Sequence, residues 1–291
     1  QLAIATRASA VTAEGPEDFS RLSLEELMNI EVTSVSKRPE RASDAAAAIH
    51  VITEDDIRRS GATSIPDLLR TVPGLQVAQI DGNKWAITAR GFNSRFANKL
   101  LVLIDGRSIY TPLFSGVLWD QQEPILQDIE RIEVIRGPGA TLWGANAVNG
   151  VINIITRHSR DTLGTFMTAS LGNNERILAG RYGAKLGENS FYRSYAKGTK
   201  RDGGENEDGS EGFDGWHAYH AGFRSDIARN NNAFTVQGDM FANNTRSDFN
   251  KDLLSAPFTE VVREDAESHG GNLLGHWNHT KPDGSEISLK G

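Results

Sequence analysis

The sequence predicts an α+β domain followed by an incomplete antiparallel transmembrane β-barrel. Three observations carry that expectation. Helix and strand periods mix up to about residues 157–163, and a period near two holds almost throughout afterwards. The later segments each present one apolar and one polar face, as a strand with a two-residue side-chain repeat must. The connections between those segments alternate in length, and short turns at one end with long loops at the other are the habit of outer-membrane barrels.

Composition narrows the classes further. The 291 residues carry a formal net charge of −7, which argues against a nucleic-acid-binding surface. There is no cysteine, so disulfide frameworks and thiolate metal sites are excluded. No apolar run reaches the 18 or so residues of a membrane-crossing helix. A barrel strand needs only about ten alternating residues, so that test leaves a barrel open.

Residues 1–21 read as a leader. Ala8-Ser9-Ala10 has the A-x-A form of a secretory cleavage site, but Arg7 interrupts the apolar run, so a disordered leader is the other reading. Residues 22–40 form a linker region. Within it Leu22–Val32 has apolar residues at helical spacing, with Ser23 and Glu26 as a capping box.

Residues 41–160 read as the α+β unit. Ile49–Thr53 is a short strand; a helix then starts at Thr53, with Asp56 as the capping-box partner and Gly61 as the stop. "SIPDLLRTVPG" (Ser64–Gly74) is a second short helix ending at Pro73-Gly74. Strands follow at Trp85–Gly91, Lys99–Gly106, Arg131–Gly137 and Val151–Thr156. The last two are joined by a stretch holding Gly137, Gly139, Gly144 and Gly150. A P-loop would need Lys and Ser/Thr after its final glycine, whereas Gly144 is followed by Ala145-Asn146. A dinucleotide loop would open a helix after one-then-two glycine spacing, and here a strand follows. Both readings are rejected, leaving tight turns and close backbone approach as the use of the glycines.

Residues 161–291 supply the strands. In Ala233–Ala242, Phe234, Val236, Gly238, Met240 and Ala242 oppose Thr235, Gln237, Asp239 and the exception Phe241. Tyr219, Ala221 and Phe223 oppose His220 and Arg224; Leu178, Tyr182, Ala184 and Leu186 oppose Arg181 and Lys185. Short connections are expected at Gly187–Asn189, Ala228–Asn232 and Lys281–Ser285. Long ones are expected at Arg201–Gly215 and Asn243–Ser268, while Gly172–Asn174 is short where a long one is due. This gives six strands and the start of a seventh near Ile287. They are too few to enclose the preceding domain, so the chain reads as a fragment of a longer protein or the product of a truncated gene. A soluble β-sandwich or lipocalin-like barrel is the alternative.

Other chemical signals are weak. His276 and His279 fall on opposite faces of a strand, which argues against a metal site. Ser34-x-x-Lys37 lacks its partner motifs. The acidic stretch Asp202–Gly215 has a calcium-site composition without the fixed spacing, and reads as a solvated loop. No nucleophile or paired-carboxylate constellation has usable spacing, so no enzyme, cofactor or metal is expected.

"IPDLLRTVPGLQV", "AITARGF", "LLVLIDGRSIY" and "IERIEVIRGPGATLWGANAVNGVINIITR", in that order, resemble the plug domain of TonB-dependent outer-membrane receptors. The resemblance runs from about Leu22 to Arg157. It implies a four-stranded plug with flanking helices inside a barrel of about 22 strands. It also implies residence in the outer membrane of a Gram-negative bacterium, and partners that are outer-membrane lipid, the inner-membrane TonB complex and a scarce nutrient. A ferric siderophore is the first expectation and cobalamin the second. The family's TonB box falls on Ile30, Glu31, Val32, Thr33, Ser34 and Val35, an extended segment that TonB would capture by strand addition. Family plug arginines that pair with barrel glutamates fall on Arg90 and Arg136. Substrate would meet the outward plug loops, where Gln79, Asp81, Asn83, Arg107, Tyr110, Phe114 and Trp119 are the candidates. A truncated or repurposed plug that binds or signals without transport is the alternative function.

Overall fold

The computed structural model describes residues 31–34, 40–41, 47–91, 93–111, 113, 116–206 and 209–291. The helical pattern at Leu22–Val32 therefore lies almost wholly outside the described residues, as do Ile30, Val35 and Phe114.

Local sequence explains the first elements. Helix α1 (Glu54–Ser60) begins on Thr53, whose hydroxyl accepts from the Asp56 amide while the Asp56 carboxylate accepts from the Thr53 amide. Gly61 ends the helix in the left-handed conformation at φ 68°. Helix α2 (Ile65–Leu69) is capped by Ser64 and buries Ile65, Leu68 and Leu69.

The helices cover one face of a five-stranded mixed sheet of strands β3 (Ile49–Thr53), β8 (Ile129–Ile135), β9 (Gly150–Thr156), β6 (Leu100–Ile104) and β7 (Arg107–Ser108), in that order. Strands β6 and β9 run parallel, and the other pairs run antiparallel. Alternation on β8 sends Ile132 and Val134 into the helix-side core together with Ile52, Val102, Ile152 and Ile154. Each such aliphatic side chain contributes roughly 1.5–3 kcal/mol by leaving water. The opposite parity sends Ile135 to a smaller cluster with Leu101, Leu103 and Val151, and it buries Glu133 completely. A separate hairpin, β4 (Leu75–Gln79) and β5 (Trp85–Ala89), carries the loop 80–84 at its tip.

The glycine-rich connection from β8 to β9 folds back closely. A Cβ on Gly150 would overlap the Ile135 carbonyl oxygen. Within that connection, Ala140–Trp143 forms a one-turn helix, α3.

Seven antiparallel strands follow in sequence order. They are β10 (Gly164–Leu171), β11 (Glu175–Gly187), β12 (Ser190–Arg201), β13 (Trp216–Arg229), β14 (Asn232–Asp252), β15 (Thr259–Thr280) and β16 (Glu286–Lys290). The sheet is open in this chain. The expected faces are present: Leu178, Tyr219, Met240 and Leu273 are exposed on the outer side, while Arg181, Arg224, Gln237 and Asp239 face the α+β domain. One expectation is corrected. Asn243–Ser268 is not a long loop, because β14 and β15 continue through most of it and turn only at residues 253–258. Beyond the bilayer both faces of a ribbon meet water, so the strands persist after the apolar alternation stops.

Candidate functional site

Two short strands precede the domain. Glu31–Val32 (β1) pairs with Glu40–Arg41 (β2). Directly after β1, Thr33 and Ser34 lie on the sheet face opposite the helices. There the buried Glu133 carboxylate accepts from the Thr33 amide at 3.0 Å and the Ser34 amide at 2.8 Å. It also accepts a bond from the Ser34 hydroxyl and, at 3.4 Å, one from the Thr33 hydroxyl. Arg131, two residues along β8 and therefore on the same face, donates its Nε at 2.8 Å. Asn153, directly opposite Glu133 on β9, donates to Ser34 Oγ at 3.0 Å. Trp143 of α3 donates to the Ser34 carbonyl at 2.7 Å. Val32 and Ser34 are fully buried.

The domain meets the barrel strands along a ladder of polar contacts that climbs β13 and β14. At the lowest level Asp226 accepts from the Ser159 amide at 2.9 Å and from its hydroxyl at 2.6 Å. Next, Asp105 accepts from Gln237 at 2.8 Å, and Arg224 donates to Thr156 Oγ1 at 3.0 Å. Arg107 approaches Asp239 at 4.0 Å. Above these, Asn243 donates to Asp120 Oδ2 at 2.7 Å. Asn83 donates to the Arg246 carbonyl at 2.9 Å, and Lys84 donates to Ser247 at 2.6 Å. On the neighbouring strands Lys197 reaches Glu123 at 2.6 Å, with both side chains buried, and Asp128 is paired by Arg181. The domain therefore supplies mainly acids to these contacts, and strands β11–β13 supply the bases Arg181, Lys197 and Arg224, with the acid Asp226 the exception.

The tip of the β4–β5 hairpin sits at the top of this ladder. Asp214, from the long loop after β12, accepts from the Gly82 amide at 2.7 Å, and Trp216 donates to the Gly82 carbonyl at 2.7 Å. A Cβ at Gly82 would overlap the Asp214 carbonyl oxygen, so only glycine permits this approach. Burial pushes the Asp120 carboxyl up to about 6.

The expected site residues separate under this geometry. Gln79 is exposed, and Asp81 is half-buried, accepting from the Asn83 and Lys84 amides. Asn83 is buried and bonded to β14, so its amide is committed to the barrel wall. Arg107 and Tyr110 are half-buried, and Arg107 lies beside the wall at Asp239. Trp119 is a correction: it packs in the helix-side core at 5% exposure, because its 3-10 turn faces inward. The described bonds of Arg90 and Arg136 stay inside the domain. Arg90 donates to the Arg136 carbonyl at 3.0 Å, and Arg136 donates to the Pro73 carbonyl at 2.8 Å. His276 and His279 bond separately to Ser288 and Asn232.

Comparison with known proteins decides the family. Residues 41–151 match the sequence model described as TonB-dependent Receptor Plug Domain. The chain belongs to the TonB-dependent receptors. It is 32% identical over 198 residues to a vitamin B12 transporter, BtuB, of Vibrio cholerae serotype O1, an alignment covering 68% of this chain and 31% of that protein. The chain therefore spans about a third of the length of such relatives. The ferripyoverdine receptor of the outer membrane of Pseudomonas aeruginosa superposes with a TM-score of 0.67 at 16% identity, over 89% of this chain and 35% of that one. The ferric-catecholate import receptor Fiu of E. coli K12 gives 0.65 at 21% identity, over 87% and 39%. The α+β domain is thus the plug of an outer-membrane receptor, and the seven strands are part of its barrel.

The receptor's Glu133 anchor was not found by sequence reasoning. Its only signal is a glutamate at a β8 position whose same-parity neighbour, Ile135, is apolar.

Proposed function

We propose that the receptor containing this chain actively takes up a scarce nutrient across the outer membrane, with energy from TonB. One observation carries the proposal. The plug is fastened along the polar inner face of the barrel strands, with its N-terminal segment at the short-turn end and its hairpin tip at the long-loop end. Short turns mark the periplasm, so the segment Glu31–Ser34 faces the compartment from which TonB reaches. The tip residues Gln79 and Asp81 face the outside, with Arg107 lower on the same wall; these and Tyr110 are the substrate contacts we assign to the plug. Substrate arrival at the tip loosens the N-terminal segment, TonB captures it by strand addition, and withdrawal opens a path.

A ferric siderophore is the first substrate class, by the names of the structural neighbours. Cobalamin is the second, favoured by the name of the relative at 32% identity. The test is uptake of radiolabelled ferric siderophores and cobalamin by cells expressing the complete receptor, with and without TonB. Uptake of one class that vanishes without TonB, and falls when Val32 is replaced by proline, is the expected result. Uptake of neither class, or uptake indifferent to TonB, overturns the proposal.

A further inference from the structure

Glu133 is one of few carboxylates buried completely in the plug, and its partners are unusual for a strand residue. Four donors come from Thr33 and Ser34, about 100 residues away in sequence, and the fifth is Arg131. A carboxylate offers about four lone-pair sites and no donor, so these bonds use its capacity. The Asn153 bond fixes the direction of the Ser34 hydroxyl: its lone pair takes Asn153, and its proton goes to Glu133. Trp143 grips the carbonyl of the same residue from the glycine-rich connection. Among the described residues, the pairing of the segment beyond this is two residues of β1 against β2.

We propose that Glu133 is the release catch of the N-terminal segment: its carboxylate holds Thr33 and Ser34 against the plug, and parting these bonds is the step that makes the segment available from the periplasm. Glu133 is thus a positioning residue for energy coupling. This inference rests on the proposed function and names the residue through which that site is regulated. Arg131 aligns the carboxylate, and Asn153 and Trp143 restrict Ser34 to one orientation. The glycine-rich connection acquires a second role, because it brings the Trp143 indole to the segment. A pull on Ser34 is passed to that connection as well as to β8.

Chemistry separates catch from filler. Glutamine at 133 keeps the volume but turns one acceptor into a donor aimed at amide N–H groups. Aspartate keeps the charge and shortens the reach. The chain has no cysteine, so a single reporter cysteine can be placed at Val32, which is fully buried. The experiment uses the complete receptor, free of other cysteines, in outer-membrane vesicles, labelled with a membrane-impermeant maleimide from the periplasmic face. Glu133→Gln raises the labelling rate of Val32→Cys by at least about tenfold, and Glu133→Asp gives an intermediate rate. A cysteine at Gln79, at the far end, labelled by the same reagent from the outer face, reacts at an unchanged rate, and the plug stays protease-resistant. Thr33→Cys, which gives up the 3.4 Å hydroxyl bond but keeps the amide bond to Glu133, serves as a second reporter in case the Val32 substitution itself loosens the segment. Equal rates in native and Glu133→Gln receptors overturn the proposal. So does general protease sensitivity of the plug, because Glu133 would then hold the sheet rather than the segment. Labelling requires neither substrate nor TonB, so failure here leaves the uptake test standing, and failure of uptake leaves this one standing.

Discussion

Lys197 and Glu123 form a charged contact across the plug–barrel boundary that mutation can weigh. The Nζ–Oε2 distance is 2.6 Å, and the two side chains are only 4% and 3% exposed. At an effective dielectric of about 20, charges at that distance attract by about 6 kcal/mol, most of it offset by the loss of hydration on both sides. Thr199 adds a 3.4 Å bond to the same carboxylate oxygen, and Lys197 also donates to the Pro124 carbonyl at 3.2 Å. Replacing Lys197 with methionine leaves the Glu123 carboxylate buried without its cation. The expected cost is about 3–5 kcal/mol in the free energy of plug unfolding. Replacing both residues, Lys197→Met with Glu123→Leu, removes the unpaired charge and restores stability to within about 1 kcal/mol of the native receptor. The assay is denaturant-induced unfolding of the plug inside an intact barrel, followed by protease cleavage of the plug. A single substitution costing under about 1 kcal/mol, or a double mutant worse than the single, would refute the reasoning.

Three further outcomes are expected. Gly82→Ala forces the hairpin tip away from Asp214 and costs about 1–3 kcal/mol, read as faster protease cleavage in the loop 80–84. Trp216→Phe keeps the ring but loses the bond to the Gly82 carbonyl, at about 1 kcal/mol in the same assay. Asp120 supplies a pH test. Burial raises its carboxyl from 3.8 to about 6, so its stabilising contribution is complete below pH 4 and is lost as pH rises through 6. Plug stability therefore falls by up to about 3 kcal/mol between pH 4 and 7 from this group, and Asp120→Asn flattens that part of the profile. An unchanged profile in the variant would show that Asp120 does not titrate in this range.

What could be read from the sequence follows physical range. The Thr53, Asp56 and Gly61 signals act within one helix turn, and all three are found in place. Alternation along Ala233–Ala242 is equally local and gave the correct faces. The same rule failed at Asn243–Ser268, because alternation records the bilayer and the lumen, not the strand itself. Trp119 was misplaced because an aromatic in an irregular segment gives no period to say which way it faces. The bonds of Glu133 to Thr33 and Ser34, like those of Asp105 and Glu123 to the barrel, join residues far apart in sequence. Each of the three carboxylates looks like ordinary solvated surface until the sheets are assembled.

The ladder on β13 and β14 has a mechanical consequence. Its rungs lie one above another from Ser159–Asp226 to Lys84–Ser247, parallel to the direction in which a plug would be drawn. A force spread over the whole plug would strain every rung together, as in shear, and would meet their summed resistance. A force entering at the bottom, through Thr33 and Ser34, strains the lowest contacts first and the rest in turn, as in peeling tape. Peeling needs only the force that parts one or two bonds at a time, over a longer distance. If the plug is withdrawn as proposed, a wall fastened in this way parts under a smaller pull at one end than a pull on the whole plug would need.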